Sequence, residues 1–470
     1  MEMSRIKLEG RDAYPAKTEG GISDVFSDKP FILAKARWVG DEEVSVCIGC
    51  DNKFNQLRRK HHCRQCGRVL CAKCCKEKVP LPHLGLEEPE RVCDLCLPIS
   101  ELITKARSKI TAFQIEAANG ISKGVQEPET IIQMVELGGL QTLIYLTRVN
   151  SSDQVKRSCA SGLHTLATHQ PLLPVLAEAG AIKALCSILT NVLESQERLI
   201  VDGLSALMLF CKNSSLKTRA IHDGALQPVL QLCGMSSSSA IALLAVQTLN
   251  LITEDAKSHQ AIIESNHNAL GKLLALTVSP DEQMQEGSLK TLAKLSMGTE
   301  WHRHKIIQED FTSGKMILRA LKNRPKNIQV LCNVLCLVGN LATCEQDQAS
   351  LMEYMDCVCR LMVEFKARNE LVLHAARAIA NFAKCQQNAY RLGQHTADVV
   401  AICMKSNVPE VHYHGLRAVF SLLKHSTAIT TMDLMKDGAT EVFTALASTP
   451  GAIENIQQSL LHHVVEIAGP

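Results

Sequence analysis

The sequence predicts a mostly α-helical chain in which a small cysteine-rich module precedes a long array of helical repeats. Apolar i/i+3 pairs return every 40 to 46 residues through the last three-quarters of the chain, and eight cysteines stand as four C-x-x-C pairs between Cys47 and Cys96. Aromatic residues make up only 4% of the 470, which suits stacked Leu/Ala/Val helices better than a β-sandwich. That length exceeds what one compact core usually holds, so several domains or a repeat array are expected.

Residues 1–37 are polar and charged, with no apolar core of a signal peptide, and Glu2 excludes an N-myristoyl glycine. They are expected to be a disordered tail. The longest apolar run, starting at Val330, is broken by Asn333 and Asn340 and is too short to span a bilayer. A cytosolic setting follows, in which thiols stay reduced.

Nine of the twenty cysteines lie within Cys47–Cys96, and the other eleven are scattered without close spacing. The scattered ones read as small buried apolar side chains. The clustered ones form the pairs Cys47/Cys50, Cys63/Cys66, Cys71/Cys74 and Cys93/Cys96. These eight thiols suffice for two tetrahedral zinc sites. A segment this short and this poor in large apolar side chains needs such metal to fold. Cys75, the ninth, is expected to be a spare thiol.

Net charge does not distinguish partners. The formal +2 becomes about −2 once eight thiolates bind two Zn²⁺. The local distribution is more informative: from Lys53 to Lys78 there are nine Lys/Arg and one acid, Glu77.

Around these cysteines the sequence resembles the FYVE zinc finger over residues 38–98. Trp38-Val39-Gly40-Asp41 is similar to that family's WxxD motif, Arg59-Lys60-His61-His62-Cys63-Arg64 to its basic HHCR motif, and Arg91-Val92-Cys93 to its RVC motif. The resemblance implies that the first and third cysteine pairs share one zinc ion and the second and fourth share the other. It also implies a ligand, phosphatidylinositol 3-phosphate. In that reading Lys60, Arg64 and Arg91 hold the 3-phosphate, and Arg59 lies near the 1-phosphate. Asp41 and His62 take the free 4- and 5-hydroxyls, and His61 supports the pocket or touches the ligand. Charge-assisted hydrogen bonds suit a phosphate ester, and a carboxylate beside the hydroxyls would repel further phosphates. The stretch Phe54–Arg58 corresponds to the family's membrane-inserting turret, with Leu57 as the inserting residue.

Residues 99–128 are expected to form a connecting amphipathic helix, and residues 129–470 an array of seven or eight repeats. Glycine-containing junctions recur at Gly138-Gly139, Gly180, Gly224 and Gly438, and one is lacking at His267-Asn268-Ala269-Leu270. The apolar pairs Leu163/Leu166, Leu204/Leu207, Leu249/Ile252, Leu292/Leu295, Val338/Leu341, Ile379/Phe382 and Val419/Leu422 keep the beat. This period fits HEAT or armadillo arrays and excludes shorter repeats. A short helix, a glycine stop and two further helices per unit resemble armadillo repeats. By that resemblance the third helices line a partner-binding groove, and Asn340 and Asn381 are its candidate peptide contacts. With only Trp38 and Trp301, the chain lacks the tryptophan ladder of importin-like cargo binding. Trp301–His304 and His412–His414 read as histidines on exposed helix ends rather than metal ligands. The Ser236–Ser239 run reads as an interhelical loop.

No P-loop and no nucleophile elbow occurs. The expected function is therefore that of a non-enzymatic membrane-trafficking adaptor with two Zn²⁺, peripheral on early endosomes. Its expected partners are phosphatidylinositol 3-phosphate membranes and a protein on the repeats, with self-association considered and no nucleic acid. The alternative is a RING-like ubiquitin ligase. RING fingers usually include a histidine ligand, whereas all eight candidates here are cysteine.

Overall fold

The computed structural model describes residues 5–425, apart from 22–23, 28–30, 191, 235–237, 324–326 and 404–405, together with Met432. The expected junction at Gly438 lies outside them, as do Ser236 and Ser237. The chain divides into two compact units, residues 1–252 and 253–470. No single helix among the described residues is long and apolar enough to cross a membrane.

The first unit begins with order where a disordered tail was expected. Strands β1 (Ile6–Leu8) and β2 (Arg11–Ala13) pair antiparallel around Glu9 and Gly10, both at positive φ. Such a two-residue turn matches the twist of a tight hairpin. The segment that follows straps the helices. Ala16 N donates to Val135 O (3.1 Å), Gln141 Nε2 to Ala16 O (2.6 Å) and Val25 N to Ala179 O (3.0 Å), while Lys183 pairs with Asp24 at 2.6 Å. Leu8, Val25, Phe31 and Leu33 are buried against this framework.

The finger follows, built from two more ribbons. β3 (Lys60–His62) pairs with β4 (Val69–Cys71), and β5 (Lys78–Leu81) with β6 (Leu86–Arg91). It runs without a flexible linker into the helix Leu97–Ala106. Thr104 Oγ1 donates to Pro80 O (2.9 Å), Ser100 Oγ to Gln65 Oε1 (3.3 Å) and Gln133 Nε2 to Leu95 O (2.7 Å).

The expected single connecting helix is instead two, Leu97–Ala106 and Thr111–Gln126, broken at residues 107–110. The second of these begins the stack of third helices, continued in the first unit by Asp153–Thr168, Glu197–Lys212 and Ser239–Ile252. Helical order of the array thus starts before residue 129. In the second unit, Glu282–Ser296, Ile328–Leu341, Asn369–Phe382 and Pro409–His425 stack likewise.

Each of the seven apolar pairs read from the sequence falls in one of these helices, and all fourteen residues are at most 1% exposed. Caps set the helix starts. Ser152, Asp281 and Asn327 side chains accept backbone N–H bonds at three of them. The glycine stops are left-handed at Gly138, Gly180 and Gly224, and Asn268 takes that conformation where glycine is lacking. One repeat departs from the three-helix plan. Between Ile328–Leu341 and Asn369–Phe382 there is one helix, Met352–Glu364, preceded by the short 3-10 turn Glu345–Asp347.

The two candidate groove asparagines link successive third helices. Asn340 Nδ2 donates to Ala293 O (3.2 Å) and Ser296 Oγ (2.8 Å). Asn381, 6% exposed, donates to Gly339 O (2.8 Å) and accepts from Arg417 (3.0 Å). In each, the amide nitrogen thus donates to a carbonyl of the preceding third helix.

His414 also sits in this layer, and burial first, then Arg417, Arg377 and His374, push its pKa down to about 4. An unfolded histidine titrates near 6.5. The stability from keeping His414 neutral is therefore complete above that value and lost as pH falls from about 6.5 towards about 4. His414→Gln is expected to lose less melting temperature than the wild type between pH 7 and pH 5. Equal losses in thermal melts would contradict this.

Candidate metal centre and basic pocket

The four C-x-x-C turns converge in two tetrads. Cys47, Cys50, Cys71 and Cys74 form one, and Cys63, Cys66, Cys93 and Cys96 the other, with the sulfurs of each within 4.8 Å of one another. First and third pairs, and second and fourth pairs, are thus crossed. Backbone amides support both: Cys71 N donates to Cys47 Sγ (3.2 Å) and Cys93 N to Cys63 Sγ (3.3 Å). Gly67 closes the Cys63 turn at φ +74°, where a Cβ would lie 2.2 Å from Arg37 O. All-thiol tetrads of this kind fit two zinc ions, which are the finger's cofactors. Cys75 is buried outside both tetrads, and its carbonyl accepts Arg91 Nη1 at 2.9 Å.

The basic residues gather on β3 and its neighbours. Arg59 and Lys60 border a shallow open depression of about 380 Å³, with Ser45, Phe54, Asn55 and Arg58. Lys60 Nζ donates to Asp41 O and lies 5.5 Å from the Phe54 ring centroid. Arg64 and Arg91 are tied together, because Arg64 N donates to Arg91 O (2.8 Å). Neither lines the depression. Arg64 Nε instead pairs with Glu90 at 3.2 Å. His61 has its pKa lowered by burial, then by the Arg91 and Arg59 charges.

Asp41 and His62 do come together: Asp41 Oδ1 is 3.7 Å from His62 Nε2, which is 2.8 Å from Val39 O. Sequence reasoning assigned Trp38 no role of its own. In the structure its ring stacks on His62 at 4.1 Å and carries the Arg64 guanidinium at 5.0 Å, so it orients both. Leu57 stands 99% exposed at a loop tip. Asn55 holds that tip, its Oδ1 accepting from Leu57 N (3.0 Å) and Arg58 N (2.8 Å).

Residues 37–101 match the family model of the FYVE zinc finger. That match supports zinc-dependent phosphoinositide binding. Similar curated proteins share this segment. They include the lateral signaling target protein 2 homolog of Brugia malayi, 45% identical over 64 residues (14% of this chain, 10% of that protein). Lateral signaling target protein 2 of Caenorhabditis elegans is 47% identical over 84 residues (17% and 13%). A phosphatidylinositol-3,5-bisphosphate 3-phosphatase of Xenopus laevis is 41% identical over 88 residues (18% and 8%). The chain thus spans only about a tenth of the length of these relatives.

Among solved structures, an engineered protein is 16% identical with a TM-score of 0.57, covering 79% of this chain and 98% of its own. A designed armadillo repeat protein is 22% identical with a TM-score of 0.40, covering 51% and 98%. The armadillo-like description rests on the three-helix units themselves.

Proposed function

We propose that the finger binds phosphatidylinositol 3-phosphate and thereby holds the chain at the cytoplasmic face of early endosomes, while the armadillo-like repeats serve as a protein-binding scaffold. The chain then acts as a non-enzymatic trafficking adaptor. The observation that carries this is the gathering of cations on and around β3: Arg59 and Arg91 beside His61, Lys60 bound to the Asp41 carbonyl and Arg64 bonded to the Arg91 backbone, with Leu57 exposed on a loop tip of the same finger. Cations supply the charge-assisted bonds a phosphate ester needs, and Asp41 disfavours any phosphate placed at its side of the ring. Leu57 adds roughly 1.5–3 kcal/mol on entering lipid, and each basic residue near an anionic surface about 1 kcal/mol.

Flotation of the zinc-loaded full chain with vesicles carrying single phosphoinositides tests the lipid reading. Binding is expected with the 3-phosphate, and much weaker binding with the 4-, 5- or 3,5-phosphorylated lipids. Asp41→Asn is expected to narrow that difference. Equal binding to all four lipids by the wild type would refute the assignment.

A further inference from the structure

A third group of metal-binding side chains comes together in the second unit, far along the sequence from the finger. His304, Cys344 and Asp347 place their donor atoms within 4.8 Å of one another. His304 lies on the helix Glu300–Thr312, and Asp347 in the 3-10 turn Glu345–Asp347, with Cys344 just before it. That turn stands where the next repeat would otherwise have its first helix. His304 Nδ1 is 2.8 Å from Asp347 Oδ2, and Cys344 Sγ is 2.8 Å from the same oxygen. Glu300 Oε1 lies 3.9 Å from Cys344 Sγ, from the opening turn of the same helix as His304.

We propose that His304, Cys344, Asp347 and Glu300 form a mononuclear zinc site that staples consecutive repeats. One thiolate, one imidazole nitrogen and two carboxylate oxygens make a tetrahedral donor set for a borderline-soft cation, whereas magnesium and calcium do not take thiolate. A tetrahedral zinc keeps such donors roughly 3.3–3.8 Å apart. The 2.8 Å contacts of Asp347 with His304 and Cys344 open to that range through side-chain shifts of about 1 Å, whereas Glu300, exposed and outside that close group, swings in further.

Charge points the same way. Asp347 is 8% exposed and Cys344 fully buried, and among the described residues the ion-pair partner of Asp347 is His304, with no Lys or Arg. One buried carboxylate shared by an imidazole and a thiol, with the Glu300 carboxylate near the same sulfur, suits a cation.

The loop bearing the inner donors is also fixed in advance. Gln348 Nε2 donates to Ala342 O (2.7 Å) and Cys344 O (3.1 Å), and Asn388 Nδ2 donates to Gln348 Oε1 (2.7 Å). Gln346 Nε2 reaches Cys344 Sγ at 3.8 Å. Such outer bonds hold ligands in place and tune them. The neighbouring His302 has another task, accepting the Thr299 N–H at its own helix cap.

The test counts zinc in the intact chain by native mass spectrometry after removal of loosely held metal. Three zinc ions are expected in the wild type, two of them in the finger, and two in the double variant H304Q/C344S. Because Cys344 is buried, His304→Gln alone serves as a milder probe. In a zinc-buffered titration it is expected to weaken the third site at least tenfold, with helical circular dichroism unchanged. Two zinc ions in the wild type, three in the double variant, or an unshifted titration in His304→Gln would each overturn the proposal.

Discussion

Replacing Cys63 by alanine is expected to cost the finger one of its two zinc ions and, with it, the order of residues 38–98. The structure gives the reason. The finger's sheets are two-stranded ribbons with strands of three to six residues, and such ribbons are marginal alone in water. Metal supplies the missing free energy, about 10–16 kcal/mol for structural zinc in zinc-finger peptides. Cys63 also accepts the Cys93 amide, so its loss frees a second knuckle. The damage should extend into Leu97–Ala106, which is hydrogen-bonded to the finger through Thr104 and Ser100. The third helices from Asp153 onward need no finger metal and should keep their order. Hydrogen exchange read by mass spectrometry should therefore lose protection over 38–106 and keep it over 153–252. Unchanged protection in 38–98, or retention of both finger zinc ions, would contradict the argument.

The second large effect concerns lipid. The double variant K60A/R64A is expected to weaken binding to phosphatidylinositol 3-phosphate vesicles at least a hundredfold at moderate salt, with zinc content unchanged. Each lost charge-assisted bond is worth roughly 1.5–3 kcal/mol, and two such losses are enough. Glu90 sharpens the test, because it occupies Arg64 in the unliganded chain. Glu90→Gln should release that guanidinium and strengthen binding a few-fold, an effect opposite in sign to that of any merely destabilising change. Vesicle flotation that finds K60A/R64A within about threefold of the wild type would remove these residues from the ligand contacts.

Much of this was legible in the sequence, for identifiable reasons. C-x-x-C turns are local, so the eight thiols and their surrounding motifs announced themselves. The third helices from Asp153 on were legible because each buries a large apolar i/i+3 pair. Thr111–Gln126 was missed as the first of that stack because its buried face is mostly small or polar, with Gln114, Ala117, Ala118, Ser122 and Gly124 around Ile121 and Val125. The strap before the finger was hidden because its strands are only three residues long and its partners, such as Val135 and Ala179, lie more than a hundred residues away. His304 meets Cys344 and Asp347 only through the stacking of repeats, so no local spacing could reveal them. Asn340 and Asn381 lie on third helices as periodicity placed them, yet periodicity could not say that their amide nitrogens would donate to the preceding repeat.

The join between finger and helices changes what landing on a bilayer would involve. A hook on a slack cord tumbles independently of what it tows. Here the strap, the Pro80–Thr104 bond and the Leu95–Gln133 bond leave no slack between the finger and the helices through Val149. Rotational diffusion of the hook is then that of the whole first unit, and fewer encounters with the surface arrive in a productive orientation. Once landed, however, the same stiffness fixes the angle and height at which those helices stand above the headgroups. A partner docking there would meet the membrane at a set distance, as on a bracket rather than on a leash.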